Sequence, residues 1–244
     1  MSATVVARHI HKSFCTGKKR ERRTVDVLKD VSLSVEAGEM VSIVGPSGSG
    51  KSTLLYCLSG LEAADAGSIE VMGAQVVKAN RASLAKTRRD HVGFIFQSYN
   101  LIPSLNAGDN VALPARLAGR PLAKGQTGAV LESVGLGGRE KDRPADMSGG
   151  EQQRVAIARA LAGGADVGFA DEPTGSLDSA NGREVLRMLR ALGDDPPRSL
   201  VMVTHDLEAA SLADRVLVLK DGRIIKELGR TTAPAILEAM EVQR

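Results

Sequence analysis

The chain predicts an α/β fold built on a mainly parallel sheet, and three observations carry that reading. Short β-type runs recur along the chain between stretches of helical spacing; one of them, MVSIV, leads straight into a glycine-rich loop; another, ADVGFAD, ends on two acids. Alternation of strand and helix is the pattern of a parallel sheet covered by helices on its faces.

The β-type runs, in order, are VSLSV near Val31, MVSIV at Met40 to Val44, SIEVM near Ile69, VGFIF at Val92 to Phe96, ADVGFAD at Ala165 to Asp171 and SLVMVTH at Ser199 to His205, then RVLVLK and RIIKEL. After Gln97 the reading changes. NAGDNVALPARLAG and KGQTGAVLESVGL have helical spacing with no strand between them, so a helical subdomain over about residues 98–160 is expected as an insertion in the core of one domain spanning residues 1–244.

Composition narrows the function classes. The 244 residues carry a formal net charge of +3, and only 2% are aromatic. That is neither an electrostatic footprint nor a set of stacking platforms for nucleic acid, so no nucleic-acid partner is expected. No run approaches the roughly 18 apolar residues needed to cross a bilayer, and the expected place is the cytosol. Cys15 and Cys57 lack metal-ligand spacing and read as reduced thiols. KKRERR, Lys18 to Arg23, reads as a solvated hairpin loop, with contact to anionic lipid headgroups as the sharper alternative. His9 and His11 would share one strand face, but no third ligand is evident and surface positions are expected.

The glycine-rich loop carries the chemistry. GPSGSGKST, comprising Gly45, Pro46, Ser47, Gly48, Ser49, Gly50, Lys51, Ser52 and Thr53, fits the phosphate-loop pattern between a strand and the helix STLLYCLSGL. Backbone N–H groups at a positive helix end would wrap phosphate oxygens. Lys51 would reach the β- and γ-phosphates, and the Ser52 hydroxyl would ligate Mg²⁺. A mere strand-to-helix turn has no need of the lysine. Downstream, Asp171 closes an apolar strand whose end opens toward the phosphate loop, so it can hold Mg²⁺ directly or through water. Glu172, one residue on, is placed to orient or deprotonate an attacking water. MSGGEQQR at Met147 to Arg154 looks like a second anion cradle at a helix N-terminus.

GPSGSGKST, SGGEQ, ADEPTGSLD and VTHD stand in the order and separations of an ATP-binding cassette (ABC) ATPase, and the chain resembles that family over nearly its whole length. The resemblance implies the P-loop NTPase fold of that family: a mainly parallel core with an antiparallel β subdomain and a helical subdomain. It implies ATP and Mg²⁺ as ligands. By the same resemblance Gln97 is the Q-loop glutamine near the metal and the water, His205 the switch histidine on the γ-phosphate, and Asp178 the D-loop residue that crosses between protomers. Phe14 resembles the aromatic that stacks on adenine. Two such cassettes face head to tail, so Ser148, Gly149 and Gly150 would complete the neighbour's site in a homodimer. Met147 and Glu151 replace the commoner leucine and glutamine of that turn, and Gly168-Phe169 interrupts a run that is usually branched aliphatic, which would loosen the strand.

FIFQSYNLIPSLNAGDNVALP is similar to the lipoprotein-releasing, macrolide-exporter and cell-division group. That implies an integral-membrane permease encoded separately and a peripheral place on the cytoplasmic face of the membrane. Leu101, Ile102 and Leu105 read either as a groove for a permease helix or as ordinary packing. Three functions follow: an exporter ATPase, a cell-division regulator with a membrane partner but no cargo, or a non-transport cassette in translation or DNA maintenance. The last would require tandem cassettes or an inserted coiled coil, and the chain has neither.

Overall fold

A computed structural model describes residues 3–16, 23–191 and 198–241. The basic run at Lys18 lies outside the described residues except for its last member, Arg23, which opens a strand. In chain order the elements are β1 (Ala3–Thr16), β2 (Arg23–Glu36), β3 (Met40–Val44), α1 (Lys51–Leu58), β4 (Ala66–Val71), β5 (Ala74–Gln75), α2 (Arg81–His91) and β6 (Val92–Phe96). Then come α3 (Ala107–Leu117), α4 (Gln126–Ser133), a 3₁₀ turn (Pro144–Asp146), α5 (Gly149–Ala162), β7 (Val167–Asp171), α6 (Ser179–Ala191), β8 (Ser199–Val203), α7 (Leu207–Ser211), β9 (Arg215–Lys220), β10 (Arg223–Leu228) and α8 (Ala233–Glu241).

Six strands form the central sheet in the order β10-β9-β3-β8-β7-β6. All neighbours in it run parallel except β9 and β10. Four strands form a second, antiparallel sheet in the order β2-β1-β4-β5. This is the mainly parallel core with an antiparallel β unit. Between β6 and β7 the chain is helical, with α3, α4 and α5 packed against one another and no strand among the described residues.

The sequence fixes which face each strand residue takes. On β3, Val41 and Ile43 join a core that includes Val5, Ile10, Leu28, Leu54, Leu55 and Ile69, beneath the antiparallel sheet and α1. Their neighbours Met40 and Val44 join a second core on the opposite face with Val111, Leu131, Val155, Val185 and Ile236, supplied by the helices. β8 and β9 repeat the pattern, Val201 and Leu217 on the first side, Met202 and Val216 on the second. A strand covered on both faces is mostly apolar, which is why MVSIV and SLVMV read as hydrophobic runs, each with a single small buried serine, Ser42 and Ser199.

Two departures from a plain run have local reasons. A Cβ on Gly168 would stand 2.9 Å from Leu200 Cδ1, so a larger residue there would require Leu200 to shift. Phe169 fills the space on the other face, fully buried and stacked on Phe94 with ring centroids 6.1 Å apart. β7 keeps its pairing to β6 and β8 from Val167 through Asp171, so the expected loosening does not appear in its ladder. In β1 the register shifts between Ala7 and Ile10, where His9 takes φ 53° and its Nδ1 lies 2.7 Å from Asp30 Oδ1.

Sheet order assembles the site. β8 lies between β3 and β7, and β6 follows β7; Phe96 is level with Asp171, Asp171 with Val203, and Val203 with Ile43. The loops after β3, β8, β7 and β6 therefore emerge side by side at the carboxyl edge, where open α/β sheets bind ligands.

Candidate active site

The loop after β3 returns tightly enough that side chains are excluded at its start. Gly45 has φ 154°, and a Cβ there would stand 2.0 Å from the Leu219 carbonyl oxygen. Ser49 N–H donates to the Pro46 carbonyl at 3.2 Å, and the Gly222 N–H braces the loop from outside through the Ser49 carbonyl at 3.2 Å. Lys51, the first residue of α1, folds back and donates from Nζ to the Gly45 and Pro46 carbonyls at 2.8 and 3.1 Å.

Desolvation lowers the Lys51 pKa against the raising effect of Glu172 and Asp171, so this cation is under-compensated where it sits. The Ser49 hydroxyl is buried with no hydrogen-bond partner. An under-compensated lysine, an orphan hydroxyl and a helix N-terminus around one loop fit a polyanion. Phe14, 37% exposed, lines a shallow pocket with Val27, Gly48, Gly50, Ser52 and Thr53, so the loop and the aromatic are brought together. Lys12 Nζ stands 4.8 Å from the centroid of that ring.

Asp171 closes β7, two strands from β3 in the sheet, and meets the helix that follows the loop. Ser52 Oγ donates to Asp171 Oδ1 at 3.0 Å, and Tyr56 Oη donates to Asp171 Oδ2 at 2.5 Å. Burial, then the neighbouring carboxylate, pushes the Tyr56 phenol up to about 12, so it is a donor across the working range. A carboxylate with a hydroxyl beside the phosphate loop is the oxygen donor set that suits Mg²⁺, which keeps waters and takes few protein ligands.

Glu172 takes φ 47°, a left-handed conformation that costs a non-glycine residue about 1–3 kcal/mol. Its N–H donates to the Val203 carbonyl at 2.9 Å, and its own carbonyl accepts the Gly175 N–H at 3.0 Å. Glu172 Oε2 lies 2.9 Å from His205 Nδ1. Gln97 meets the same turn: a Cβ on Gly175 would stand 2.8 Å from its Nε2, and Ser176 Oγ donates to its carbonyl at 3.2 Å. Gln97, Asp171, Glu172 and His205 thus converge from the ends of three strands, β6, β7 and β8.

Ser148, Gly149 and Gly150 do not join that cluster. Ser148 is the N-cap of α5 in a complete capping box: its Oγ accepts the Glu151 N–H at 3.3 Å, while its own N–H donates to Glu151 Oε2 at 2.8 Å. That backbone bond first, then Arg139, whose Nη1 lies 2.8 Å from Oε1, holds the Glu151 carboxyl below its usual range. Glu151 in place of glutamine therefore closes the cap, and Met147 is buried in the helical core. A Cβ on Gly149 would stand 2.7 Å from Tyr99 Oη, and one on Gly150 2.8 Å from Asn181 Oδ1. Asn181 is bonded in turn to Asp178, which caps α6 through the Asn181 N–H at 3.0 Å.

Three residues at or near the site were not legible from motifs. Gln153, fully buried in α5, donates from Nε2 to the Pro173 carbonyl at 2.7 Å and so ties that helix to the turn carrying Glu172. Arg159 holds the carbonyls of Asn100 and Tyr99 at 2.6 and 2.9 Å, two consecutive residues of positive φ after Gln97. Tyr56 is the third, and its place one helical turn after Ser52 was the available signal. Leu101 is partly buried against the helical core, so packing is its role, while Ile102 is 38% exposed.

The phosphate loop, the acid pair after a parallel strand and the histidine facing it define a P-loop ATPase of the cassette type. The chain matches the family model described as ABC transporter over residues 28–175, and it belongs to that family. It is similar to the macrolide export ATP-binding/permease protein MacB of Neisseria meningitidis serogroup B, 44% identical over 228 residues that cover 93% of this chain and 35% of that protein. It is likewise similar to MacB 2 of Aeromonas hydrophila, 48% identical over 86% of this chain and 32% of that protein. The chain thus spans about a third of the length of these relatives. Among solved structures it resembles the ATP-binding cassette MJ0796 in a dimeric post-hydrolysis state bound to ADP and Pi, with TM-score 0.84 and 36% identity over 93% of this chain and 99% of that one. Among the described residues no helix is long and apolar enough to cross a membrane.

Proposed function

We propose that this chain binds ATP and Mg²⁺ between two copies of itself and, by hydrolysing ATP, drives an integral-membrane permease encoded separately, from the cytoplasmic face. The observation that carries the reading is the separation of the two cradles. The phosphate loop packs against Val27, Leu219 and Asp171, whereas Ser148 to Gly150 contact Glu151, Tyr99 and Asn181. One chain then offers one phosphate loop and, elsewhere, one spare helix N-terminus, which suits a second copy's γ-phosphate. That MJ0796 is dimeric with ADP and Pi bound supports a reading with two copies.

In that reading Phe14 stacks the adenine, and the N–H groups of residues 45–53 with Lys51 hold the phosphates. Bound Mg²⁺ would supply charge neutralisation at the transferring phosphate, held by Ser52 and Asp171 with Gln97 nearby. Glu172 accepts the proton of the attacking water. His205 keeps the Glu172 carboxylate directed and donates toward developing charge on the phosphate oxygens. Asp178, on the turn joining Glu172 to α6, faces the partner copy. Loss of the γ-phosphate removes what Ser148 and the α5 N-terminus were holding, and the dimer opens.

The helical subdomain, about residues 98–160, is read as the lever to the membrane partner. An apolar groove beside it is lined by Leu61, Phe94, Phe96, Leu113, Pro114 and Leu117, and it supports docking of a permease helix better than Leu101 does. The similarity to the MacB proteins favours export; a partner that moves an extracytoplasmic domain without cargo would use the same cassette. Glu172→Gln is the test: it should bind ATP, fail to hydrolyse it and elute as a dimer only with ATP. Near-normal turnover would remove Glu172 as the base.

A further inference from the structure

Asp171 is gripped by one face of a single helix. Ser52 and Tyr56 are four residues apart on α1, and in a helix that spacing stacks two side chains on the same face. Their hydroxyls each donate to a different oxygen of the same carboxylate, at 3.0 Å from Ser52 and 2.5 Å from Tyr56. Asp171 as a residue is only 9% exposed. An aspartate χ2 torsion is intrinsically broad, so one donor leaves the plane of the group loosely set and two donors fix it. Each carboxylate oxygen has two acceptor positions, so both oxygens keep one position to offer to a cation or to its bound water.

We propose that Tyr56 is a positioning residue for the metal: its hydroxyl pins the plane of the Asp171 carboxylate so that the remaining lone pairs are presented to Mg²⁺ before nucleotide arrives. The proposal rests on the reading of Asp171 as the metal-side carboxylate. Ser52 reaches only Oδ1, and in that reading its hydroxyl oxygen is itself a metal ligand, so Tyr56 is the donor left to set the other oxygen. Tyr56 sits one turn further along α1, packed against the core under the antiparallel sheet. Two other roles are open to a tyrosine here, and they have different signs. A ring that only packs makes its hydroxyl irrelevant. A hydroxyl that chiefly drains charge from Asp171 would weaken the metal site, and its removal would tighten it. Positioning alone predicts a weaker metal site when the hydroxyl goes.

The test is Tyr56→Phe, which deletes one oxygen and keeps the ring. Mn²⁺ is titrated into the protein–ADP complex and its binding followed by electron paramagnetic resonance; ADP affinity in EDTA is measured beside it. The expected result is Mn²⁺ affinity lower by roughly two- to twelvefold, the span of one net hydrogen bond, with metal-free ADP affinity unchanged. Asp171→Asn and the double variant complete a cycle. The Tyr56→Phe effect should vanish when Asp171 is already Asn, because the two residues act through one contact. Equal or tighter Mn²⁺ binding in Tyr56→Phe, while Asp171→Asn still weakens it, overturns the proposal and leaves the metal reading standing. Unchanged Mn²⁺ affinity in Asp171→Asn overturns both.

Discussion

Glu172 and His205 meet at a single carboxylate oxygen: Oε2 of Glu172 lies 2.9 Å from His205 Nδ1 and also accepts the His205 backbone N–H at 3.2 Å. The two residues are thus aligned by the ends of two neighbouring strands. Because the His205 side chain is 71% exposed, the pair adds little to stability. His205→Ala should leave thermal unfolding nearly unmoved while lowering kcat by roughly 10²-fold, the cost of losing one preorganised donor. Wild-type turnover in that variant would remove the histidine from the chemistry.

Asp214 gives a stability prediction with a defined sign. Burial alone would raise its pKa, but bonds from Arg190, the Met40 N–H and Arg230 outweigh it and bring it from 3.8 to about 2. A depressed carboxylate stabilises the fold above its unfolded pKa and loses that contribution as pH falls toward the folded value. Asp214→Asn should therefore cost on the order of 2 kcal/mol at neutral pH. The gap to wild type should narrow between about pH 4 and pH 2. Urea unfolding at neutral pH and at about pH 3 checks both the size and the direction.

The two thiols should separate cleanly. Cys15 is exposed, whereas Cys57 is buried and its thiol is pushed up to about 12, chiefly by burial. Since the thiolate is the reactive form, a chromogenic disulfide reagent at mildly alkaline pH should release one equivalent from native protein and two after denaturation. Two fast equivalents from the native chain would contradict the burial of α1 against the antiparallel sheet.

Docking can be tested at one exposed residue. Leu117, at the end of α3, is 69% exposed on the rim of the apolar groove. Leu117→Asp should leave ATP binding and stability intact yet stop recruitment to membranes that contain the permease, read by fractionation after co-expression. Unchanged recruitment would move the docking surface elsewhere.

Legibility in the sequence followed range. MVSIV, SLVMV and VGFAD were readable because burial on both faces keeps them mostly apolar over five residues, and the phosphate loop because its spacing is local. The cap at Ser148 was written in four consecutive residues, SGGE. Contacts made across long separations were not readable. Tyr56 reaches Asp171 across 115 positions, and Gln153 reaches Pro173 only because α5 packs beside that turn. Leu101 shows the same limit from the other side, since an apolar residue beside a polar turn reads equally as docking surface or core until its neighbours are placed.

The central claim is that Ser148 closes over the partner copy's phosphate loop. In a background with Cys15→Ser and Cys57→Ala, two differently tagged chains are made, one carrying Ser148→Cys and the other a loop cysteine. Ser47 is exposed and Ser49 buried, so Ser47→Cys and Ser49→Cys are each tried. A disulfide forms only where Cα atoms come within roughly 7 Å. With ATP, in a Glu172→Gln background under mild oxidation, the account predicts a disulfide-linked heterodimer bearing both tags and none without nucleotide. A chain carrying both cysteines that instead closes an internal disulfide as a monomer, with no mixed dimer at either position, would place the second cradle beside its own phosphate loop and contradict the account.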